Sequence, residues 1–323
     1  MITSPAFFIL DQLIIPIVAI DDKIRKSIEA QFLANKRKNL FYKQADCNTH
    51  FQPETLDIIR NHKEELEQID RLGLSAKWID LMTDMALHTF YTSNQFVSFN
   101  QNQIHELREI YKTLWDEILS EITQDNANYQ KLQKSHLERL SDWLLRSNSF
   151  VKEINKEDNP QITNVICAEY SALLQIDLLQ IDIRNLIEPI LDIGCGENAW
   201  LVKYLREHGL DAYGLDRLTD NSCDYLFCSS WLEFEFKPLQ WGTIISNLSF
   251  ALHFTNHNLR KDGDYIAYAK KYTEILNSLK TNGSFYYAPS LPFIETYLPL
   301  NKYRIVNERI NENFSCSTVK KII

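Results

Sequence analysis

The segment that most constrains the fold is "PILDIGCGENAWLVKYL", which runs from Pro189 to Leu205. An apolar, strand-like run leads into a Gly-x-Gly turn, and a helical pattern follows it. Glycines at such a turn let a ligand approach bare backbone, and the start of the helix offers N–H groups without intrahelical partners. The segment therefore predicts a strand, a ligand-binding turn and a helix in direct succession.

Further short apolar runs follow this segment and alternate with helical patterns, and residues 162–187 before it read as one long helix. Strands that alternate with helices imply crossover connections and a mostly parallel sheet. The last two runs flank a short polar turn, which predicts an antiparallel hairpin. We predict an α/β fold with a Rossmann-like, seven-stranded, mostly parallel sheet and a C-terminal antiparallel hairpin. The predicted strands are residues 190–193, 212–215, 225–228, 243–246, 285–288, 303–310 and 314–323.

The N-terminal half has a different pattern. From about residue 22 to 150, apolar residues recur at helical spacing, with breaks at residues 48–53, 93–101 and 124–128. Residues 152–161 are polar and charged, which is typical of a linker. We predict an all-α N-terminal domain over residues 1–158, which recognises a substrate or covers a site, and a second domain over residues 159–323.

Composition excludes several classes of partner. The net charge of −9 gives no general attraction to nucleic acid or to an anionic membrane. The six cysteines form no C-x-x-C pair, so neither a zinc site nor a disulfide framework is indicated. The apolar residues 6–20 are interrupted by Asp11, Gln12 and Pro16 and lack a basic flank. This excludes a membrane span or a signal peptide, and we predict a core-forming segment in a cytoplasmic protein.

The residues around the glycine turn narrow the choice of ligand. Ala199 completes a G-x-G-x-x-A pattern, so a dinucleotide is nominally compatible. Asp192, however, precedes the turn, where a carboxylate would repel a pyrophosphate and suit a positively charged ligand. Asp216 ends the next predicted strand, 20 residues beyond Gly196, and a carboxylate there accepts hydrogen bonds from ribose hydroxyls. The pattern favours a ligand with a ribose and a cationic amine, and it disfavours a nicotinamide oxidoreductase.

Four motifs in order, "LDIGCGENAWLVKYL", "AYGLD", "GTIISNLSFALHF" and "ILNSLKTNGSFYYAPS", resemble those of class I S-adenosylmethionine-dependent methyltransferases. The resemblance covers roughly residues 160–323 and implies S-adenosyl-L-methionine as the cofactor. The sequence departs from the family pattern at Asn198, where a third glycine is frequent, and at "SSWLEF", where an acidic residue is usual. The implied cofactor-binding residues are Tyr170, Asp192, Gly194, Cys195, Gly196, Asp216, Arg217, Ser230, Trp231 and Asn247.

The resemblance also assigns a part of the cofactor to most of these residues. Tyr170 would border the methionine end, and Asp216 would bind the ribose. Ser230 and Trp231 would lie near the adenine, and Asn247 would face the methyl-transfer position. The methionine moiety and ribose would be lined by Asp192, Gly194 and Gly196.

Methyl transfer from a sulfonium is an in-line displacement, and a base is needed only when the acceptor must lose a proton. The catalytic candidates lie after the fourth and fifth predicted strands: Asn247, His253, Tyr287 and Glu295. His253 could act as a base or pack beside a short helix, and Glu295 could hold an amine or lie at the surface. No metal is predicted, since Asp80, Asp84 and His88 share a helix face without an E-x-x-H motif.

The sequence thus predicts methyl transfer to an oxygen or nitrogen of a small molecule or peptide. Two alternatives remain. One is a sensor or scaffold that binds S-adenosylmethionine without turnover. The other is an amide or exocyclic-amine N-methyltransferase of a macromolecule, because "NLSF" (residues 247–250) is similar to the Asn-Pro-Pro-Tyr/Phe motif of such enzymes but lacks both prolines. The oligomeric state is not predicted.

Overall fold

The computed structural model describes residues 5–42, 50–124, 127–165, 169–220, 223–312 and 314–323, with side chains from Ile20 onward. The chain divides into two compact units, Met1–Cys167 and Ala168–Ile323. Ile20 is buried. The rest of the apolar run at residues 6–20, for which a core-forming role was predicted, lies outside the described side chains, and so do Cys47 and Cys167.

The first unit is helical, as predicted. Helix α5 (Gln101–Ile122) begins with a capping box in which Asn100 and Gln103 satisfy each other's backbone N–H groups, and Asn128 caps α6 (Tyr129–Ser147). These are the polar breaks that the sequence indicated, and Trp78 and Trp143 are buried in the core between the helices. The helices are α1 (Pro5–Asn35), α2 (Pro53–Asn61), α3 (Lys63–Arg71), α4 (Ser75–Ser93), α5 (Gln101–Ile122), α6 (Tyr129–Ser147) and α7 (Val151–Ile154).

The polar segment at residues 152–161 is hydrogen-bonded to the first unit. The buried side chain of Asn39 donates from Nδ2 to the carbonyls of Lys156 and Asn159, at 2.8 and 2.9 Å. The Asn39 backbone N–H donates to Pro160 at 2.9 Å. The segment is therefore a docked loop, and the compact units divide beyond residue 158.

The long helix predicted over residues 162–187 is wrong. The structure has a short helix α8 (Ala172–Leu178) and a 3₁₀ turn (Ile183–Asn185). Ser171 caps the start of α8 by accepting the N–H of Leu174. After the helix, Gln180 takes a left-handed φ of +52°. Local capping residues thus break a pattern whose apolar spacing alone is compatible with a continuous helix.

The second unit contains a seven-stranded sheet in the order β3-β2-β1-β4-β5-β7-β6. The strands β1 to β5 are parallel, and β7 is antiparallel to both β5 and β6. This confirms the predicted mostly parallel sheet and C-terminal hairpin. The strands are β1 (Ile190–Ile193), β2 (Ala212–Asp216), β3 (Leu226–Cys228), β4 (Trp241–Asn247), β5 (Leu279–Ala288), β6 (Tyr303–Asn311) and β7 (Phe314–Lys321).

The sheet order positions a site. The chain runs outward from β1 to β2 and β3, then returns to place β4 on the other side of β1. In open α/β sheets, ligands bind at this switch point, outside the carboxyl ends of the strands. The remaining helices are α9 (Trp200–Glu207), α10 (Phe250–Leu259), α11 (Tyr265–Ser278) and α12 (Pro292–Glu295).

No helix in the described part of the chain is both long and apolar enough to cross a membrane.

Candidate functional site

Two glycines shape the turn that follows β1. Gly194 and Gly196 have φ values of +79° and +76°, which L side chains rarely adopt. A Cβ on Gly194 would lie 2.3 Å from the Cβ of Ser249, and a Cβ on Gly196 would lie 2.9 Å from Glu169 Oε1. Gly194 therefore requires glycine on both grounds, whereas at Gly196 the left-handed backbone is the main requirement, because the flexible end of Glu169 can shift.

Ser249 fixes the turn between β4 and α10 against β1. Its hydroxyl donates to the carbonyl of Ile193 at 2.6 Å and lies 2.7 Å from the Ser246 hydroxyl. Ser246 in turn accepts the N–H of Phe250 at 3.1 Å. These serines were not singled out from the sequence, where small polar residues after a strand carry no distinctive signal.

Asp192 on β1 is the most unusual group in the second unit. Its side chain is buried, with 2% of the residue exposed, and Oδ2 has no hydrogen-bond partner among the described residues. Burial, together with the nearby charge of Asp216, raises the pKa of Asp192 to about 8. A buried polar atom left without a partner is costly, so this carboxyl is suited to a donor that a ligand would bring.

Asp216 ends β2 beside the same turn. Its Oδ2 accepts the N–H of Gly196 at 3.0 Å, and its Oδ1 accepts the N–H of Leu218 at 2.9 Å. Burial raises the pKa of Asp216, while these two N–H groups oppose that shift. Each carboxylate oxygen has two acceptor positions, so Asp216 retains capacity for further donors such as ribose hydroxyls.

A third carboxylate lies over the turn. Glu169 accepts the N–H of Asn198 at 3.2 Å through Oε1 and the Asn198 side-chain amide at 2.5 Å through Oε2. With Asp216, it makes the surroundings of the turn acidic, and Asp192 adds a carboxyl that is mostly protonated at pH 7 until a cation pairs with it. Such a site attracts a cationic ligand and repels a pyrophosphate.

Two predicted contacts beside the turn have more limited roles. The Cys195 thiol packs against β2, since a Cβ on Gly214 would lie 2.7 Å from its sulfur. Burial raises the pKa of this thiol well above its usual value, so the thiol stays protonated. Cys195 therefore contributes its backbone, and not its side chain, to the turn. Tyr170 is half-buried, and its carbonyl accepts the Gln175 side-chain amide at 2.9 Å. Its contact with a cofactor stays a prediction.

The segment after β3 also reaches the turn. Trp231 is half-buried, and a Cβ on Gly194 would lie 3.4 Å from its ring. Its indole meets the His253 ring edge-on, with 4.9 Å between the ring centroids. Ser230 accepts the N–H of Leu232 at 3.3 Å, so its hydroxyl closes a local turn. Trp231 is therefore the better placed of the two to contact a ligand.

Asn247 and His253 follow β4 in different environments. The Asn247 Oδ1 atom is buried and has no partner among the described residues. His253 is buried on α10, and its pKa is well below the usual value because of burial and the nearby charges of Arg217 and His257. A neutral histidine of this kind is a weak base at pH 7. Asn247 thus offers an acceptor at the end of β4 that the described residues leave unpaired, whereas His253 packs against Trp231. Their roles in a site stay predictions.

The structure does not support a catalytic role for Tyr287 and Glu295. Tyr287 is fully buried and donates its hydroxyl to Glu295 at 2.6 Å. Glu295 also accepts the N–H of Leu291 at 2.7 Å, the Ser317 hydroxyl at 2.7 Å and the Asn307 amide at 3.1 Å. Three of these hydrogen bonds tie α12 to β5, β6 and β7, and the fourth, from Leu291, caps α12 itself. Both residues are internal, and their network is structural.

Arg217 follows Asp216 and is half-buried. Its charge contributes to lowering the pKa of the buried His253. Its contact with the cofactor, predicted from the resemblance, remains a prediction. Among the described residues, no three His, Cys, Asp or Glu side chains are arranged to hold a metal ion.

No protein-family model matches the chain, and no curated protein sequence matches it. Solved structures similar to parts of it include a Pyrococcus horikoshii protein, with 12% identity over 55% of this chain and 98% of that chain, and a TM-score of 0.33. The N-methyltransferase NodS of Bradyrhizobium japonicum has 12% identity over 47% of this chain and 96% of its own, with a TM-score of 0.33.

A third similar structure is the 1,6-didemethyltoxoflavin N1-methyltransferase of Burkholderia thailandensis, which was solved with S-adenosylhomocysteine bound. It has 14% identity over 47% of this chain and 76% of its own, with a TM-score of 0.32. Likenesses at this level assign no activity to the present chain. Its own strands and glycine turn define a Rossmann-like α/β unit with an acidic candidate site at the switch point.

Proposed function

We propose that the protein is an S-adenosyl-L-methionine-dependent methyltransferase. The observation that carries the proposal is the unpartnered, buried Oδ2 of Asp192 beside the glycine turn. The α-ammonium group of this cofactor is a donor of the charge and kind that such a carboxyl lacks. Asp216, the acidic residue next to Asp192, retains acceptor positions for the two ribose hydroxyls of the cofactor.

The bound cofactor would supply an electrophilic methyl group, and the residues of the chain would hold and orient it. Asp192 would bind the ammonium, Asp216 the ribose, and Trp231 would contact the adenine side. The glycine turn would lie under the methionine and ribose. The donor is then fixed in one orientation, which is the main contribution that an in-line displacement requires of a protein.

The acceptor is proposed to be an oxygen or nitrogen of a small molecule or peptide. The buried Asn247 Oδ1 at the end of β4 is an acceptor for an N–H or O–H group that approaches the transfer position. The acidic surface disfavours nucleic acid and anionic membranes as partners. The helical unit is proposed to recognise this acceptor.

Titration calorimetry with S-adenosylhomocysteine and with NAD tests the proposal. We expect S-adenosylhomocysteine to bind and NAD not to bind, because a pyrophosphate would meet the carboxylates around the turn. Asp216→Asn should weaken S-adenosylhomocysteine binding by about ten-fold, since hydrogen bonds to a charged group are stronger than those to a neutral one. The matched control is Asp177→Asn, the same change at an exposed carboxylate of α8.

Binding of NAD in place of S-adenosylhomocysteine would refute the methyltransferase proposal. Unchanged affinity of the Asp216→Asn variant would refute the ribose assignment alone. Binding without methyl transfer, across panels of amine, hydroxyl and peptide acceptors, would favour a sensor or scaffold over an enzyme.

A further inference from the structure

The helical first unit contains a large internal cavity. Residues of α1 to α6 and of the segment between α1 and α2 line it, all between Ile24 and Leu140, and its volume is about 210 Å³. An engineered apolar cavity of about 150 Å³ in another protein stays dry and binds benzene. A molecule of one or two rings would therefore fit the cavity of this unit.

Most of the cavity wall is aliphatic or aromatic, with Ile28, Phe32, Met82, Phe90 and Leu114 among its residues. Protein interiors are normally close-packed, and unfilled apolar volume is destabilising. Water is a poor occupant, because it needs several polar partners at once. The wall thus favours an apolar molecule as the occupant.

Three polar atoms of lining residues lack a hydrogen-bond partner within the described parts of the chain. They are Trp115 Nε1, His136 Nδ1 and Asn35 Oδ1, and each is buried. Burial and the nearby charge of Arg139 lower the pKa of His136 to about 3, so its ring is neutral. Trp115 can only donate, whereas a neutral histidine nitrogen can donate or accept. An occupant that carries a polar head would therefore find partners in the wall.

The charged residues of the cavity wall indicate whether the polar group of the occupant is cationic or anionic. The described lining residues include Lys38 but no Asp or Glu. Within the described part of the chain, burial lowers the pKa of the Lys38 ammonium group and no nearby carboxylate opposes that shift. An anionic group brought by a ligand would offset that burial.

We propose that this cavity is a binding site for a small monocarboxylic acid with an aromatic or branched apolar body. The apolar wall would hold the body, Lys38 would pair with the carboxylate, and the Trp115 N–H would be available as a further donor. The proposal stands apart from the methyltransferase proposal, since every residue that carries it belongs to the first unit.

Titration calorimetry of the full chain with 1-naphthoate, and with the neutral 1-naphthalenemethanol, tests this site. We expect both probes to bind at one site per chain. Lys38→Met keeps the apolar stem and removes the charge, so it should weaken 1-naphthoate by about five-fold and change 1-naphthalenemethanol by less than about two-fold. Lys36→Met, at an exposed lysine close by in the chain, is the matched control and should leave both affinities unchanged.

A second variant fills the cavity. Ala86 on α4 is 3% exposed and lines the wall, so Ala86→Leu should weaken both probes by at least about ten-fold without lowering the melting temperature. A fall in melting temperature with unchanged probe affinity would overturn the proposal, and so would the absence of saturable binding by either probe. An equal loss of both probes in Lys38→Met would refute the assignment of an anionic head.

Discussion

Replacing Asp192 by asparagine is expected to weaken binding of S-adenosylhomocysteine by at least about 30-fold, because truncating one partner of a buried charge pair typically costs 2–5 kcal/mol. The same change should make the folded protein more stable at neutral pH. A substitution that weakens binding and raises the free energy of unfolding identifies a side chain that serves the ligand and destabilises the folded protein. Calorimetric binding and urea unfolding measure the two effects.

The stability gain follows from the pKa of the buried carboxyl. The pKa of Asp192 is about 8 in the folded protein, against an ordinary value of 3.8. Between these values the folded state holds a proton that the unfolded state releases, so the free energy of unfolding falls as pH rises. Asparagine does not titrate, so in the variant this carboxyl no longer lowers the free energy of unfolding as pH rises. We expect Asp192→Asn to be more stable by about 4 kcal/mol at pH 7, at about 1.4 kcal/mol per pH unit above the ordinary pKa, and the difference to fall below about 1 kcal/mol near pH 4.

The exposed Asp177, which lies on α8, again provides the control. Asp177→Asn should change neither the affinity for S-adenosylhomocysteine nor the pH dependence of unfolding. A variant Asp192→Asn that binds as the native protein does would contradict the ammonium assignment. A variant that is less stable than the native protein at pH 7 would contradict the account of the buried, unpartnered carboxyl.

Gly194→Ala is expected to destabilise the second unit by about 3 kcal/mol or more, since it combines a left-handed backbone with a steric clash. The new Cβ would lie 2.3 Å from the Ser249 Cβ and 2.6 Å from its hydroxyl. That hydroxyl holds β1 through the Ile193 carbonyl, so relief of the clash would break this contact. Urea unfolding of the full chain measures the loss.

Gly209→Ala separates the two components of this loss. Gly209 has nearly the same φ, +80°, but a Cβ there would have nothing within 4 Å. We expect this variant to lose only about 1 kcal/mol, the ordinary cost of a left-handed conformation for a residue with a side chain. Equal losses for the two variants would show that Ser249 does not constrain the turn.

The sequence predicted the fold most accurately where a strand is buried on both faces. Strand β1 was predicted at its observed bounds, Ile190–Ile193, because central parallel strands are buried on both faces and appear as largely apolar runs. The carboxylates Asp192 and Asp216 were found because they lie within or at the end of such runs, beside the glycine turn. The hairpin was visible because its polar turn separates two strand-like segments.

Other features depend on contacts between distant parts of the chain. Glu169 reaches the glycine turn from a segment before α8, and Ser249 reaches Ile193 from beyond β4. Tyr287 and Glu295 were predicted to be catalytic because they follow β5 or end it, yet they hydrogen-bond to each other and to neighbouring core and hairpin residues. Only the folded arrangement shows which polar groups are already satisfied, and the unpartnered oxygen of Asp192 is likewise invisible in the sequence.

Proton release on binding tests the central claim most directly. At pH 7 the buried Asp192 carboxyl is mostly protonated in the free protein, since its pKa is about 8. Pairing with an ammonium group favours the ionised form, so binding of S-adenosylhomocysteine should release close to one proton. Titration calorimetry at pH 7, in buffers with different enthalpies of ionisation, measures this number. The account predicts a release that disappears in Asp192→Asn, and binding of S-adenosylhomocysteine without proton release would contradict it.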